Sequence, residues 1–193
     1  MKVSREQMAQ NRIRILTEAA RLFREKGFLA VSVAEVMKAA GLTHGGFYGH
    51  FKSKDDLIAQ AIGFAAGARS DIADLGAFID AYLSIPHSEH PELGCPMAAL
   101  AGLMRDQAPE ARVAMAERLG AQLDSLADAM PGENGVSRRR AAIGSWAAMI
   151  GALILARSID DPTLSSELLA ETRAWIDANI SQGEPCVVGS GEC

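Results

Sequence analysis

Apolar and polar positions follow a helical period almost from the start of the chain. Between about Arg5 and Lys26, Ile13, Leu16, Ala20 and Phe23 recur three or four residues apart. Ile15, Ala19 and Leu22 widen this stripe, while Arg12, Arg14, Arg21 and Arg24 take other positions. Gly27 is placed as a helix stop. Ser32 followed by Glu35 has the spacing of a capping box and predicts a second, short helix ending at Ala39-Ala40-Gly41. Thr43 is a cap for a third short helix, and Ser53 with Asp56 caps the one after it. Helices are then expected over about 54–69, 74–83, 96–105, 109–129, 137–158 and 165–180. Pro96 and Pro109 stand where a first helical turn tolerates proline. "IPHSEHPELGCP" and "PGENGV" read as loops, and the last residues as a mobile tail. No stretch alternates over strand length with turn signals at both ends. The fold class is all-α.

Three short elements of the head close on one small core. The first supplies Leu16, Ala20 and Phe23, the second Val33, Val36 and Met37, and the stretch after Gly41 supplies Leu42, Phe47 and Phe51. A turn at Gly41 followed by a short helix is a helix-turn-helix, whose second helix enters the DNA major groove by its N-terminal residues. That second helix is unusual in composition. His44 to Phe51 holds three glycines, two histidines and three aromatics. Glycine costs about 1 kcal/mol relative to alanine inside a helix, so the inward packing of Phe47 and Phe51 must hold it. In return, a bare backbone can approach the groove closely and amides at its start can face a phosphate. Thr43, His44, Tyr48 and His50 are the polar groups offered to DNA, with Lys52 and Lys54 next in line.

Composition agrees with this reading. Hydrophobic residues make up 49% of the 193, enough for a core, and few are aromatic. The net charge of -5 conceals a split. Met1 to Asp55 carries ten Lys or Arg against five Asp or Glu, and the remainder nine against nineteen. A basic head on an acidic body suits phosphate binding, because local field and not net charge attracts the backbone of DNA. The N-terminus is polar and lacks a secretory signal. "AAIGSWAAMIGALILA" (141–156) is shorter than the roughly 20 residues a spanning helix needs and reads as a buried helix. Cys95, Cys186 and Cys193 are too few and scattered for a disulfide framework or zinc module, so a cytoplasmic location is expected. His87 and His90 lack metal-site spacing and read as solvent-exposed. No metal or cofactor is expected.

The run "ILTEAARLFREKGF" followed by "SVAEVMKAAGLTHGGFYGHFKSKDDLI", about Arg12 to Ile62, resembles the DNA-binding domain of the TetR family of bacterial regulators. The aromatic-rich "FYGHFKSKDDL" is its most specific part. The resemblance implies a homodimer on a palindromic operator, usually a repressor, released when a small molecule enters the C-terminal domain. On the matching positions it implies phosphate contacts from Ser32, Thr43, Tyr48, His50 and Lys54, and base-facing roles for His44 and Gly45. Gly46 and Gly49 stand where members often carry larger residues. Arg5 and Arg12 are further candidates for phosphate or minor-groove contact.

The domain expectation is 1–53 for DNA binding, 54–182 for ligand binding and dimerisation, and 183–193 as tail. The segment 141–156 is apolar around most of its circumference, with Gly144, Ala148, Gly151 and Ala152 permitting close approach. With Ser165–Ile180 it forms the expected dimer interface, as the last two helices do in TetR relatives. Arg138-Arg139-Arg140 reads as surface or dimer rim. Phe64, Phe78, Tyr82, Met97, Leu100, Leu103, Met104, Met115 and Trp146 are candidates for an effector pocket, or else core. Cys95, in "LGCPMAAL", precedes Pro96 at a helix cap where amides and the helix dipole favour thiolate; "LGCP" resembles one subgroup of TetR-like proteins. It is either an oxidant or electrophile sensor, or a small half-buried residue. A helical enzyme with a basic accessory head is the remote alternative. No Ser-His-Asp order, phosphate loop or paired carboxylates support it.

Overall fold

The computed structural model describes residues 4–64, 72–132 and 134–181. Among these, every regular element is helical: α1 (Arg5–Ala30), α2 (Val33–Ala39), a 3-10 turn (His44–Gly49), α3 (Lys54–Phe64), α4 (Leu75–Tyr82), α5 (Ile85–Glu89), α6 (Pro96–Leu100), a second 3-10 turn (Ala101–Asp106), α7 (Pro109–Ala129), α8 (Gly135–Ser158) and α9 (Pro162–Ser181). The chain divides into two compact units, Met1–Ser70 with Pro86–Gln122, and Asp71–Ile85 with Leu123–Cys193. The first unit thus draws in part of the chain beyond the head, and α7 is divided between the two. Cys186 and Cys193 lie outside the described residues, as does the end of the helix expected over 54–69.

In the first unit, the Ser4 hydroxyl caps α1 by accepting from the Gln7 amide at 3.1 Å. The helix buries Ile15, Leu16, Ala19, Ala20, Leu22 and Phe23, while Ile13, on the expected stripe, is 53% exposed. Gly27 interrupts α1 with φ +77°, a backbone sign that calls for glycine, and a Cβ there would sit 3.2 Å from Leu103 Cδ1. Past it, Phe28 returns to meet Phe23, with ring centroids 5.3 Å apart and the planes tilted by 58°. Ser32 caps α2, accepting from the Glu35 amide at 3.1 Å. Glu35 does not complete the box; its carboxylate takes Lys26 Nζ at 2.8 Å, an exposed pair that adds little stability. The helix ends through Gly41, at φ +69°, with the Leu42 amide donating to the Met37 carbonyl at 2.9 Å.

In the second unit, Asp74 caps α4 and Asn134 caps α8 through their side-chain oxygens. One face of α8 buries Ala142, Ser145, Trp146, Met149, Ala152, Leu153 and Ala156. α9 packs along it, contributing the buried Leu169 and Ile176. By length and composition α8, at 24 residues, could span a membrane; here that one face is packed within protein. Arg173 of α9 ties itself to Asp80 of α4 at 2.5 Å and also bonds Asp177.

The segment before α6 also departs from the sequence reading. The segment starting "IPHSEH" is not all loop: Ile85–Glu89 forms a helical turn, because Pro86 stands at its second position, where the missing N–H has no partner to lose. His87 is not solvent-exposed either. It is half-buried, and its Nε2 accepts the Cys95 amide at 3.0 Å.

Candidate nucleic-acid interface

The stretch after Gly41 folds as a 3-10 turn, His44–Gly49, and not as a regular α-helix. Thr43 occupies its cap position, yet the hydroxyl makes no capping bond and is exposed with His44, Gly45, Gly46, Tyr48 and Gly49. Only Phe47 is buried in the turn. Its ring stacks on Phe51 at 5.6 Å and meets the Tyr48 ring edge-on at 5.2 Å. Tyr48 is 72% exposed, so one aromatic anchors the turn and the next is displayed.

The glycines of the turn have no internal reason. None has a positive φ, and a Cβ on Gly45 would meet nothing within 4 Å. On Gly46 or Gly49 it would meet only ordinary contacts, Met37 Cε at 3.6 Å and Met8 Cε at 3.8 Å. Gly41 differs, since its φ is left-handed and a Cβ would lie 2.7 Å from Arg14 Nη2.

At the far end, α3 begins beside the turn. Ser53 Oγ accepts from the Asp56 amide at 3.0 Å, and Asp56 Oδ2 accepts from the Lys52 amide at 2.8 Å. The Lys52 bond, first among its causes, holds the Asp56 carboxyl below its ordinary pKa. Lys52 is exposed and Lys54 half-exposed at the first turn of α3. His50 ends the 3-10 turn, half-buried; burial, then the Arg12 charge, lower its pKa, so the imidazole is neutral at pH 7. Ser32, engaged as the α2 cap, is exposed. Sequence reasoning missed the engagement of Arg12. Its guanidinium donates to the His50 carbonyl at 2.5 Å and to Gln60, and lies 4.7 Å above the Phe51 ring.

The effector-pocket candidates fall into separate groups. Phe78, Tyr82 and Trp146 form an aromatic trio in the second unit, with Tyr82 and Trp146 rings 5.0 Å apart. Trp146 is 3% exposed and its Nε1 is buried without an acceptor among the described residues. Met97, Leu100, Met104 and Met115 are buried in the first unit, whereas Phe64 and Leu103 are exposed. Cys95 is half-buried at the α6 cap position. Nearby, Arg24 donates two bonds to the Glu92 carbonyl at 2.9 and 2.6 Å. His90 pairs with Glu92 at 3.1 Å.

The family described as "Bacterial regulatory proteins, tetR family" matches residues 15–61. The HTH-type transcriptional regulator AcrR of Shigella flexneri is 40% identical over 57 residues, which are 30% of this chain and 26% of that protein. The chain therefore spans only about a quarter of that relative's length. An HTH-type transcriptional regulator of Mycobacterium tuberculosis is 28% identical over 168 residues, covering 79% of this chain and 87% of its own. The crystal structure of a TetR transcriptional regulator from Legionella pneumophila superposes with a TM-score of 0.72 at 22% identity, over 93% of this chain and 99% of that one. At that identity the likeness is one of fold.

Proposed function

We propose that the chain is a member of the TetR family of bacterial regulators, whose model matches residues 15–61, and that it is a transcriptional repressor, not an enzyme, acting as a homodimer on a palindromic operator in the cytoplasm. The observation that carries DNA binding is the row of exposed glycines at 45, 46 and 49, none required by internal packing or backbone sign. Glycine that the fold does not need is explained by something approaching from outside. Thr43, His44, Tyr48, His50, Lys52 and Lys54 stand along the same stretch as phosphate and base contacts, with Ser32 at the neighbouring helix start. The boundaries we assign are 1–53 for DNA binding, 54–182 for effector binding and dimerisation, and 183–193 as tail.

Dimerisation is assigned to α8 and α9. Beside their packed faces runs an open groove of about 580 Å³, lined among others by Ala148, Gly151, Leu155, Leu164, Leu168 and Trp175. Leu155 and Trp175 are each 52% exposed. Apolar surface of this kind fits a second copy better than water. The effector is a small, mainly apolar molecule. The unpartnered Trp146 N–H, beside Phe78 and Tyr82, adds that it carries a hydrogen-bond acceptor, because a buried donor without partner costs about 1–3 kcal/mol.

The test is a mobility shift with duplexes recovered from a random-sequence library by the full chain. A palindromic consensus bound by a dimer, with steep salt dependence, is expected. Failure to retain any duplex at low salt ends this reading.

A second reading replaces the effector by thiol chemistry at Cys95. What favours it is position: Cys95 is half-buried at the cap position of α6, and its amide donates to His87 Nε2 at 3.0 Å. Mass spectrometry after mild peroxide decides it; an unmodified Cys95 with DNA binding intact excludes sensing.

A further inference from the structure

Resting on the DNA-binding reading, we propose that Arg12 is a positioning residue, a strut that fixes the far end of the reading turn from inside the head, and not a phosphate contact. Its two terminal nitrogens are already committed. Nη1 donates to the carbonyl of His50, the residue that ends the turn, at 2.5 Å, and Nη2 donates to Gln60 Oε1 of α3. The face of the guanidinium lies 4.7 Å from the centroid of Phe51. Gln60 Nε2 in turn donates to Asp56 Oδ1 at 2.6 Å, and the other oxygen of Asp56 takes the Lys52 amide at 2.8 Å. One polar chain therefore runs from α1, past the end of the turn, to both the start and the middle of α3.

Such a strut answers a need of the turn itself. Six residues of 3-10 geometry with three glycines have little intrinsic rigidity. A carbonyl at a helix end is an acceptor left without an intrahelical partner, and the Arg12 fork supplies one. Only arginine can give two directed donors and a planar face to a ring at once. Holding the turn in its binding shape beforehand removes an ordering cost from association.

The test uses the full chain and the tightest duplex that the wild type recovers from a random-sequence library, with affinity measured by fluorescence anisotropy across a salt series. R12M and R12K are both expected to weaken binding by roughly tenfold while the slope of log K against log salt stays at its wild-type value. A phosphate contact behaves otherwise: R12K retains most of the affinity, and R12M flattens the slope by about 0.9. Gln60→Ala carries no charge change and leaves the apolar core intact, so it stands even if R12M melts below the assay temperature. It is expected to weaken binding roughly threefold, and to add nothing on top of R12M. Wild-type affinity in R12K or in Gln60→Ala, or a flattened slope in R12M, overturns the strut. A wild type that recovers no duplex overturns the DNA-binding reading and the strut with it, which separates the two failures.

Discussion

The His44–Gly49 turn has six residues and buries one side chain, while α8 has 24 residues and buries seven. Both must stay fixed while presenting a surface. α8 does so by continuous packing along one face, which leaves its other apolar positions, among them Ile154 and Leu155, free to face outward. The turn has too few residues for that. It relies on Phe47 and Phe51 underneath and on directed hydrogen bonds at its ends. Rigidity by area tolerates many single changes; rigidity by a few named bonds does not.

Phe47→Ala tests the turn's side most severely. Removing a fully buried ring is expected to cost about 3–5 kcal/mol, read as a lower urea midpoint and loss of DNA binding. On the other side, introducing glutamates at Leu155 and Trp175 together should leave the fold intact but yield monomers by light scattering. Operator affinity should then fall by roughly 100-fold or more, because linked half-site binding is lost. If the doubly substituted protein stays dimeric, the α8–α9 groove is not the interface. A finer contrast lies within the head. Gly41→Ala should destabilise by about 1 kcal/mol, since its φ is +69°. Gly45→Ala should leave stability unchanged or slightly raised yet weaken DNA binding; unaltered binding removes the argument for close backbone approach.

The smallest expected effect is in pH. The folded-state pKa of His50 is depressed by burial and by Arg12, so its contribution to stability is full above about 6.5, the ordinary histidine value. That contribution is lost as pH falls through the lower folded value. A small decrease in urea midpoint between pH 7 and pH 5 is expected, and it should be absent in His50→Gln.

The head was legible where local chemistry decides. Ser32, Ser53 and Asp56 cap as their spacing implies, and Phe47 and Phe51 are buried as the short core requires. Illegible were the partners set by the fold alone. Arg12 meets groups 38 and 48 positions away, and Glu35 leaves its own cap for Lys26. Periodicity also overstates burial at its edges, as Ile13 shows, because a helical stripe is wider than the contact it makes. The effector candidates were the least legible. Apolar residues at helical spacing look alike before folding, and only three-dimensional placement separates the buried Tyr82, Trp146, Met97 and Met104 from the exposed Phe64 and Leu103.

The open groove beside α8 and α9 also bears on how the protein melts. A subunit whose apolar groove is covered only in the pair gains stability by mass action, so its melting temperature rises with its own concentration. Under the proposed dimeric repressor, dilution would weaken the fold and the grip on DNA together, and the amount of protein in the cell would become part of what sets repression.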